Sequence, residues 1–205
     1  MSDAVIAFRL FLRPARERSL LRGHPWVYSG AIERIEARED ARPGDLGEIY
    51  AAGGEWLALA TVQPGATLVA RVLRFTPGPV DESWFAGVFA RAARLRREVV
   101  GGDTDAYRLV HAEGDGLPGL IVDRYGEFLA VQCLTAGMER LRPAWLPALA
   151  GALPVRGIVA RAEKAPREPA AAETETLWGE APPGEIEVRE GGLGFVVRLA
   201  AGQKT

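Results

Sequence analysis

The chain has 205 residues, 48% of them hydrophobic and 25% charged, with a formal net charge of -2, which is ordinary usage for one large or two small folded domains. The near-neutral balance excludes a uniformly basic nucleic-acid binder, and no stretch approaches the roughly 20 apolar residues that span a bilayer. The cations are uneven, however: only Lys164 and Lys204 are lysines and the rest are arginines, whose planar fork suits phosphate and base stacking, although a genome rich in G and C gives the same excess.

Residues 5–75 read as short strands with turn punctuation. "VIAFRLFLR" alternates, "HPWVYSGAI" follows a Gly-His-Pro turn, and residues 43–75 carry Pro-Gly, Gly-Gly and Pro-Gly breaks between runs of Ile, Val, Leu and aromatics. Strands at this spacing predict a small β-barrel or sandwich. Between the first two, "ARERSLLRG" predicts one short helical turn that ends at Gly23, with Pro25 barring its continuation. "TPGPVDES" at 76–83 is a break followed by a helix start, with Asp81 or Ser83 as cap. From Trp84 to Val100, the residues Phe85, Val88, Phe89, Ala92, Leu95 and Val99 recur at three- and four-residue intervals and form one apolar helix face. Arg91, Arg94, Arg97 and Glu98 take the other face, which is either solvated or in contact with RNA.

Three strand runs follow at 107–112, 119–125 and 127–135, separated by "EGDGLPG" and by Tyr125-Gly126, so a tightly turned antiparallel meander is predicted. "MERLRPAWLPALAGAL" is then helical and "GIVAR" is a strand. Residues 162–183 are rich in Pro, Ala and Glu without a periodic apolar face and read as a linker or extended surface segment. At the end, Gly191 and Gly192 separate two alternating runs, which predicts a hairpin over 185–199.

Few of these residues form a catalytic pattern. "GQKT" lacks the spacing of a phosphate loop, because Gln203 separates Gly202 from Lys204 and no helix follows. "EGDGLPG" lies between antiparallel strands, so its glycines read as turn residues rather than a dinucleotide fingerprint. Glu113, Asp115 and Asp123 near that turn have no placed histidine to form an acid and base pair, and His111, flanked by Val110 and Ala112, reads as a packed side chain. Cys133 is the only cysteine; it reads as a small hydrophobe, no disulfide is possible within the chain, and a cytoplasmic compartment is expected. The same count leaves no zinc set, and the arginines near the start break up any signal-peptide core. The front end is more informative. Arg9, Arg13, Arg16, Arg18, Arg22, His24 and Trp26 are opposed only by Glu17. Cations on one helical turn beside an aromatic suit a phosphate backbone with unstacked bases, while a solvated turn with Trp26 in the core would use the same residues.

Three blocks carry a resemblance. "SLLRGHPWVYSGAI", "YRLVHAEGDGLPGLIVDRYGEFLAVQ" and "GLGFVVRLAAGQKT" occur in the order and spacing of the bacterial large-subunit ribosomal RNA methyltransferases that make 5-methylcytosine with S-adenosylmethionine. The likeness runs from about Arg9 to Thr205, with Arg198 standing where that family more often has an acidic residue. It implies an α+β chain in three parts. Residues 1–76 would be a PUA-like RNA-binding β-barrel, and 77–184 a central mixed α/β domain with an antiparallel meander, ending in the linker. Residues 185–205 would be the first hairpin of a Rossmann-like methyltransferase domain that is otherwise absent.

Ribosomal RNA is then the expected partner, held by Arg13, Arg16, Arg18, Arg22, His24 and Trp26. Gly202, Gln203, Lys204 and Thr205 would border the S-adenosylmethionine site. No catalytic residue is expected in this chain, since Cys133 matches none of that family's cysteine motifs. The chain alone is expected neither to catalyse nor to bind the cofactor. Its terminal hairpin is expected to lack cover, and so to fray or to pair with another copy in a homodimer or strand exchange. A free-standing RNA-binding module or ribosome-assembly factor, and a scaffold that pairs its last strand with a partner, are the alternatives.

Overall fold

The turn-punctuated N-terminal runs become six strands in the computed structural model, which describes residues 5–161 and 174–199. They are β1 (Ile6–Leu12), β2 (Trp26–Tyr28), β3 (Ile32–Ala37), β4 (Leu46–Tyr50), β5 (Trp56–Val62) and β6 (Leu68–Arg74), with the short helix α1 (Arg18–Leu21) after β1. Their order in the sheet is β2-β6-β5-β4-β1-β3, with β1 and β4 parallel and the other neighbours antiparallel. The two outermost strands, β2 and β3, are separated only by a 3-10 turn over Ser29–Ala31, which reaches at most about 10 Å. The sheet therefore has to curl until its edges meet, and a barrel results. Alternate residues fill its interior, among them Phe8, Leu10, Leu12, Val27, Ile49, Ala60 and Val72.

The predicted long helix is α2 (Glu82–Val99), and its cap is Asp81, whose side chain accepts from the Trp84 N–H at 2.9 Å. The meander follows as β7 (Ala106–His111), β8 (Leu120–Tyr125) and β9 (Phe128–Cys133). Pro143 divides the helical stretch after it into α3 (Ala136–Arg140) and α4 (Arg142–Ala152), because it disfavours helical backbone before it and starts a new helix well. The Trp145 Nε1–H, donated to the Met138 carbonyl at 2.7 Å, ties the two pieces together. β10 (Gly157–Arg161) then runs parallel to β9.

The linker reading is corrected in part: Thr174–Gly179 forms a strand, β11, antiparallel to β10 at the sheet edge. The resulting sheet has the order β11-β10-β9-β8-β7. Its alternating side chains serve two layers. Leu120, Val122, Leu129, Val131 and Ile158 face α2 and α4, whose Phe85, Val88, Phe89, Trp145 and Leu149 complete that core. Phe128, Ala130 and Val159 face the opposite way.

That second face is covered by the terminal hairpin, β12 (Ile186–Glu190) and β13 (Leu193–Val197). Ile186, Val188 and Leu199 are buried on Phe128, Ala130 and Val159. Main-chain bonds from Asp105 N–H to the Arg189 carbonyl, 2.9 Å, and from Gly192 N–H to the Asp103 carbonyl, 3.2 Å, fix the hairpin at the start of β7. The expectation that this hairpin lacks cover is therefore corrected. The chain's own sheet covers β12, while Leu193, Phe195 and Val196 of β13 stay exposed.

The apolar face of α2 is narrower than its periodicity predicts. Leu95 and Val99 are exposed, at 47% and 69%, while Arg96 turns inward to a carboxylate on the β7–β8 turn. Barrel and central layers meet closely. A Cβ on Gly137, at the start of α3, would lie 2.5 Å from Thr61 of β5, and one on Gly44 (φ +93°) would lie 2.7 Å from the Ala136 carbonyl carbon. Only glycine allows both approaches.

Candidate RNA-binding site

The front cluster sits on α1, on the loop that follows it and on β2. Gly23 takes φ +81° and Pro25 stops the helix, so the chain reverses and presents Arg16, Arg18 and Arg22 outward. All three are exposed and make no ion pair or side-chain hydrogen bond among the described residues. Arg13 differs from them. Its Nε–H donates to the Ile32 carbonyl at 3.1 Å and stands 3.6 Å from Glu33, so it secures the junction of β1 and β3. Arg9 lies on β1 within 4.0 Å of Glu48.

Trp26 is neither a core residue nor a free one. Val27 points into the barrel, so Trp26 and Tyr28 point outward. The Trp26 indole N–H donates to Glu113 at 2.9 Å, which carries the barrel onto the central domain. Its ring meets His24 edge-on (centroids 5.8 Å apart, planes at 82°) and Tyr28 edge-on (6.4 Å, 87°). Directly opposite Trp26, on β6, stands Arg71, also without an ion pair among the described residues.

Glu113 is positioned by a tight turn over Ala112–Asp115, entered through Ala112 at φ 43° and left through Gly116 at φ 76°. A non-glycine residue in the left-handed region is strained and needs holding. Asp115 supplies the hold. Its carboxylate receives Arg96 Nη1 and Nη2 at 2.6 and 2.7 Å and the His111 N–H at 2.6 Å. Arg108 pairs in the same two-pronged way with Asp123, at 2.8 and 3.2 Å, and that hydrogen bond holds its guanidinium above the ordinary arginine range. The three acids near the turn are thus each bound to a donor, and they form no acid and base pair. His111 is exposed rather than packed. Its outward position follows from a register shift in β7 between Arg108 and Val110, which lets the neighbours Leu109 and Val110 both be buried and leaves His111 outside.

Cys133 packs against the larger core, and its thiol is pushed up to about 12, first by burial and then by Glu139. It stays protonated at neutral pH and is no nucleophile. Among the described residues no group of His, Cys, Asp and Glu could hold a metal ion, and no helix is long and apolar enough to cross a membrane. Gly202, Gln203, Lys204 and Thr205 lie outside the described residues. Of the residues around Trp26, sequence reasoning missed Tyr28 and Arg71. Tyr28 was within reach as the next outward position of the strand; Arg71 needs the β2–β6 register, which is not local.

Residues 10–75 match the PUA-like domain family, which is the part that carries the cluster. Over almost its whole length the chain is similar to proteins named ribosomal RNA large subunit methyltransferase I, with 39% identity to that of Cronobacter sakazakii (98% of this chain, 51% of the relative) and 38% to that of Shigella flexneri (98% and 51%). The chain spans about half the length of these curated relatives. It shares the fold of half of a solved structure described as a SAM-dependent methyltransferase from Streptococcus mutans, with a TM-score of 0.77 at 18% identity over 97% of this chain and 50% of that one. A methyltransferase solved with SAH matches with the same score, covering 49% of that chain.

Proposed function

We propose that this chain supplies the RNA-binding and central parts of an S-adenosylmethionine-dependent methyltransferase of large-subunit ribosomal RNA, with a cytosine C5 as the methyl acceptor. The observation that carries the reading is the coincidence of the PUA-like match, residues 10–75, with three arginines that make no ion pair among the described residues, beside an outward aromatic strand. Arg16, Arg18, Arg22, His24 and Trp26 hold RNA in this reading, and Arg13 shapes the surface from behind. The names of the relatives support the substrate class, and their double length supports a catalytic part beyond the residues described here. The reading also puts the protein where ribosomes are made, in the cytoplasm.

No described residue is assigned to the cofactor, and Gly202 to Thr205 are proposed to border its site in the longer protein. The chain alone is expected to be inactive and to give no heat of binding with S-adenosylmethionine in calorimetry while retaining affinity for ribosomal RNA fragments. One-to-one micromolar binding of S-adenosylmethionine would sink the assignment of the cofactor site to the catalytic part. Strand exchange through 185–205 keeps one motive, the exposed Leu193, Phe195 and Val196 on β13. Sedimentation at two concentrations tests it, and an unchanged monomer excludes it.

A further inference from the structure

We infer that the barrel binds its RNA as a single strand, with a splayed base stacked on an aromatic strip formed by His24, Trp26 and Tyr28, and that Tyr28 and Arg71 belong to the RNA contact. This rests on the RNA-binding reading above and specifies the form of RNA it takes.

The strip follows from β2 geometry. Trp26 and Tyr28 are successive outward residues of β2, and His24, in the loop before the strand, joins them in a herringbone, each ring nearly perpendicular to the next. An edge-to-face contact covers a face of only one of its two rings, where a stacked pair covers a face of each. Tyr28 keeps 45% of its surface exposed and makes no other ring contact. Trp26 cannot swing out to follow a ligand, because its N–H is fixed by Glu113 at 2.9 Å; it serves as the rigid middle of the strip. An exposed aromatic held this way presents a π-face to any base, which is how single strands are bound without base-edge readout.

Charge is distributed to match. Arg71 faces Trp26 across the β2–β6 pairing, and Arg16, Arg18 and Arg22 stand beyond the loop that begins the strip. None of the four is neutralised by an acid among the described residues. Duplex RNA offers none of its base faces to such a strip, since its bases are stacked inside the helix.

The test compares a labelled single-stranded oligoribonucleotide with the same strand annealed to its complement, over a salt series. Tyr28→Ala should weaken the single strand roughly five- to 150-fold with the salt slope unchanged, and should leave the duplex as it was. Tyr28→Phe should bind as the original does. Arg71→Gln should instead lower the single-strand slope by about 0.7, the share of one phosphate. Unchanged thermal midpoints show that the variants are folded. If Tyr28→Ala binds the single strand as the original does, or weakens both forms equally, the strip is not a base-stacking surface. If the original protein shows no salt-dependent affinity for either form, the RNA-binding reading itself falls, and this inference with it.

Discussion

Replacing Asp115 by alanine should destabilise the protein more than a typical single substitution on its surface would. Arg96 and Asp115 keep only 13% and 8% of their side-chain surface in solvent, and their two-pronged contact at 2.6 and 2.7 Å offsets the cost of removing both charges from water. Without Asp115, the Arg96 guanidinium remains buried with one partner, the Arg108 carbonyl at 3.1 Å, and the His111 N–H loses its acceptor. An uncompensated buried charge of this kind costs about 3–5 kcal/mol, equivalent to a fall of roughly 6–20 °C in the unfolding midpoint for a chain of this size. The double variant Arg96→Met, Asp115→Leu removes both charges together and should cost less than Asp115→Ala alone. Urea unfolding followed by circular dichroism measures both. A loss below about 1 kcal/mol for Asp115→Ala, or a double variant that costs as much as Asp115→Ala or more, would show that this pair does not hold the turn. The consequence reaches the RNA site, because the strained Ala112 turn presents Glu113 to Trp26. Asp115→Ala should therefore also weaken RNA binding at temperatures where the barrel is still folded.

Cys133 should react with iodoacetamide far more slowly in the native protein than in urea, because its thiol stays protonated up to about 12. The linkage has a definite sign: the folded state keeps its proton above the ordinary thiol range, so this group leaves stability unchanged at lower pH and reduces it as pH rises from about 9 toward 12. Rapid native labelling at neutral pH would contradict the buried environment. In hydrogen exchange on a dilute monomer, the amides of 186–190 should be protected along with the central sheet and those of the outer strand 193–197 less so; uniform fast exchange over 186–190 would mean the hairpin does not pack on Phe128, Ala130 and Val159.

Local pattern was enough for much of this architecture. The turn chemistry of 113–119, a cap at Asp81, one of the two candidates, and the three short strands of the meander act through near neighbours, and the strands lie within a residue or two of where the residues predict them. What failed was long-range. The periodicity of α2 predicts a continuous stripe through Leu95 and Val99, but the stripe turns aside where Arg96 finds Asp115, a partner 19 residues away. β11 was missed because "TETLWG" is a polar edge strand with one apolar side to cover, and only β10 shows that it is needed. The hairpin's cover could not be read from its own residues either, since the apolar face that receives it is the second side of strands already credited with a core. At the site, arginines near a helical turn were legible as a cation cluster. Which of them are free was not: Arg13 is occupied by Ile32 and Glu33, and Arg71 joins from a strand some 45 residues later in the chain.

RNA binding by the α1–β2 surface of the PUA-like barrel through Arg16, Arg18 and Arg22, which make no ion pair among the described residues, is read in the salt dependence of binding to a fragment of large-subunit ribosomal RNA. For the original chain, the logarithm of the affinity should fall linearly with the logarithm of salt concentration. Replacing Arg16, Arg18 and Arg22 together by alanine should reduce that slope by about 2 to 3, the release of one counterion for each lost phosphate contact, with no change in the unfolding midpoint. A triple variant that binds the fragment as tightly as the original at every salt concentration would contradict the claim.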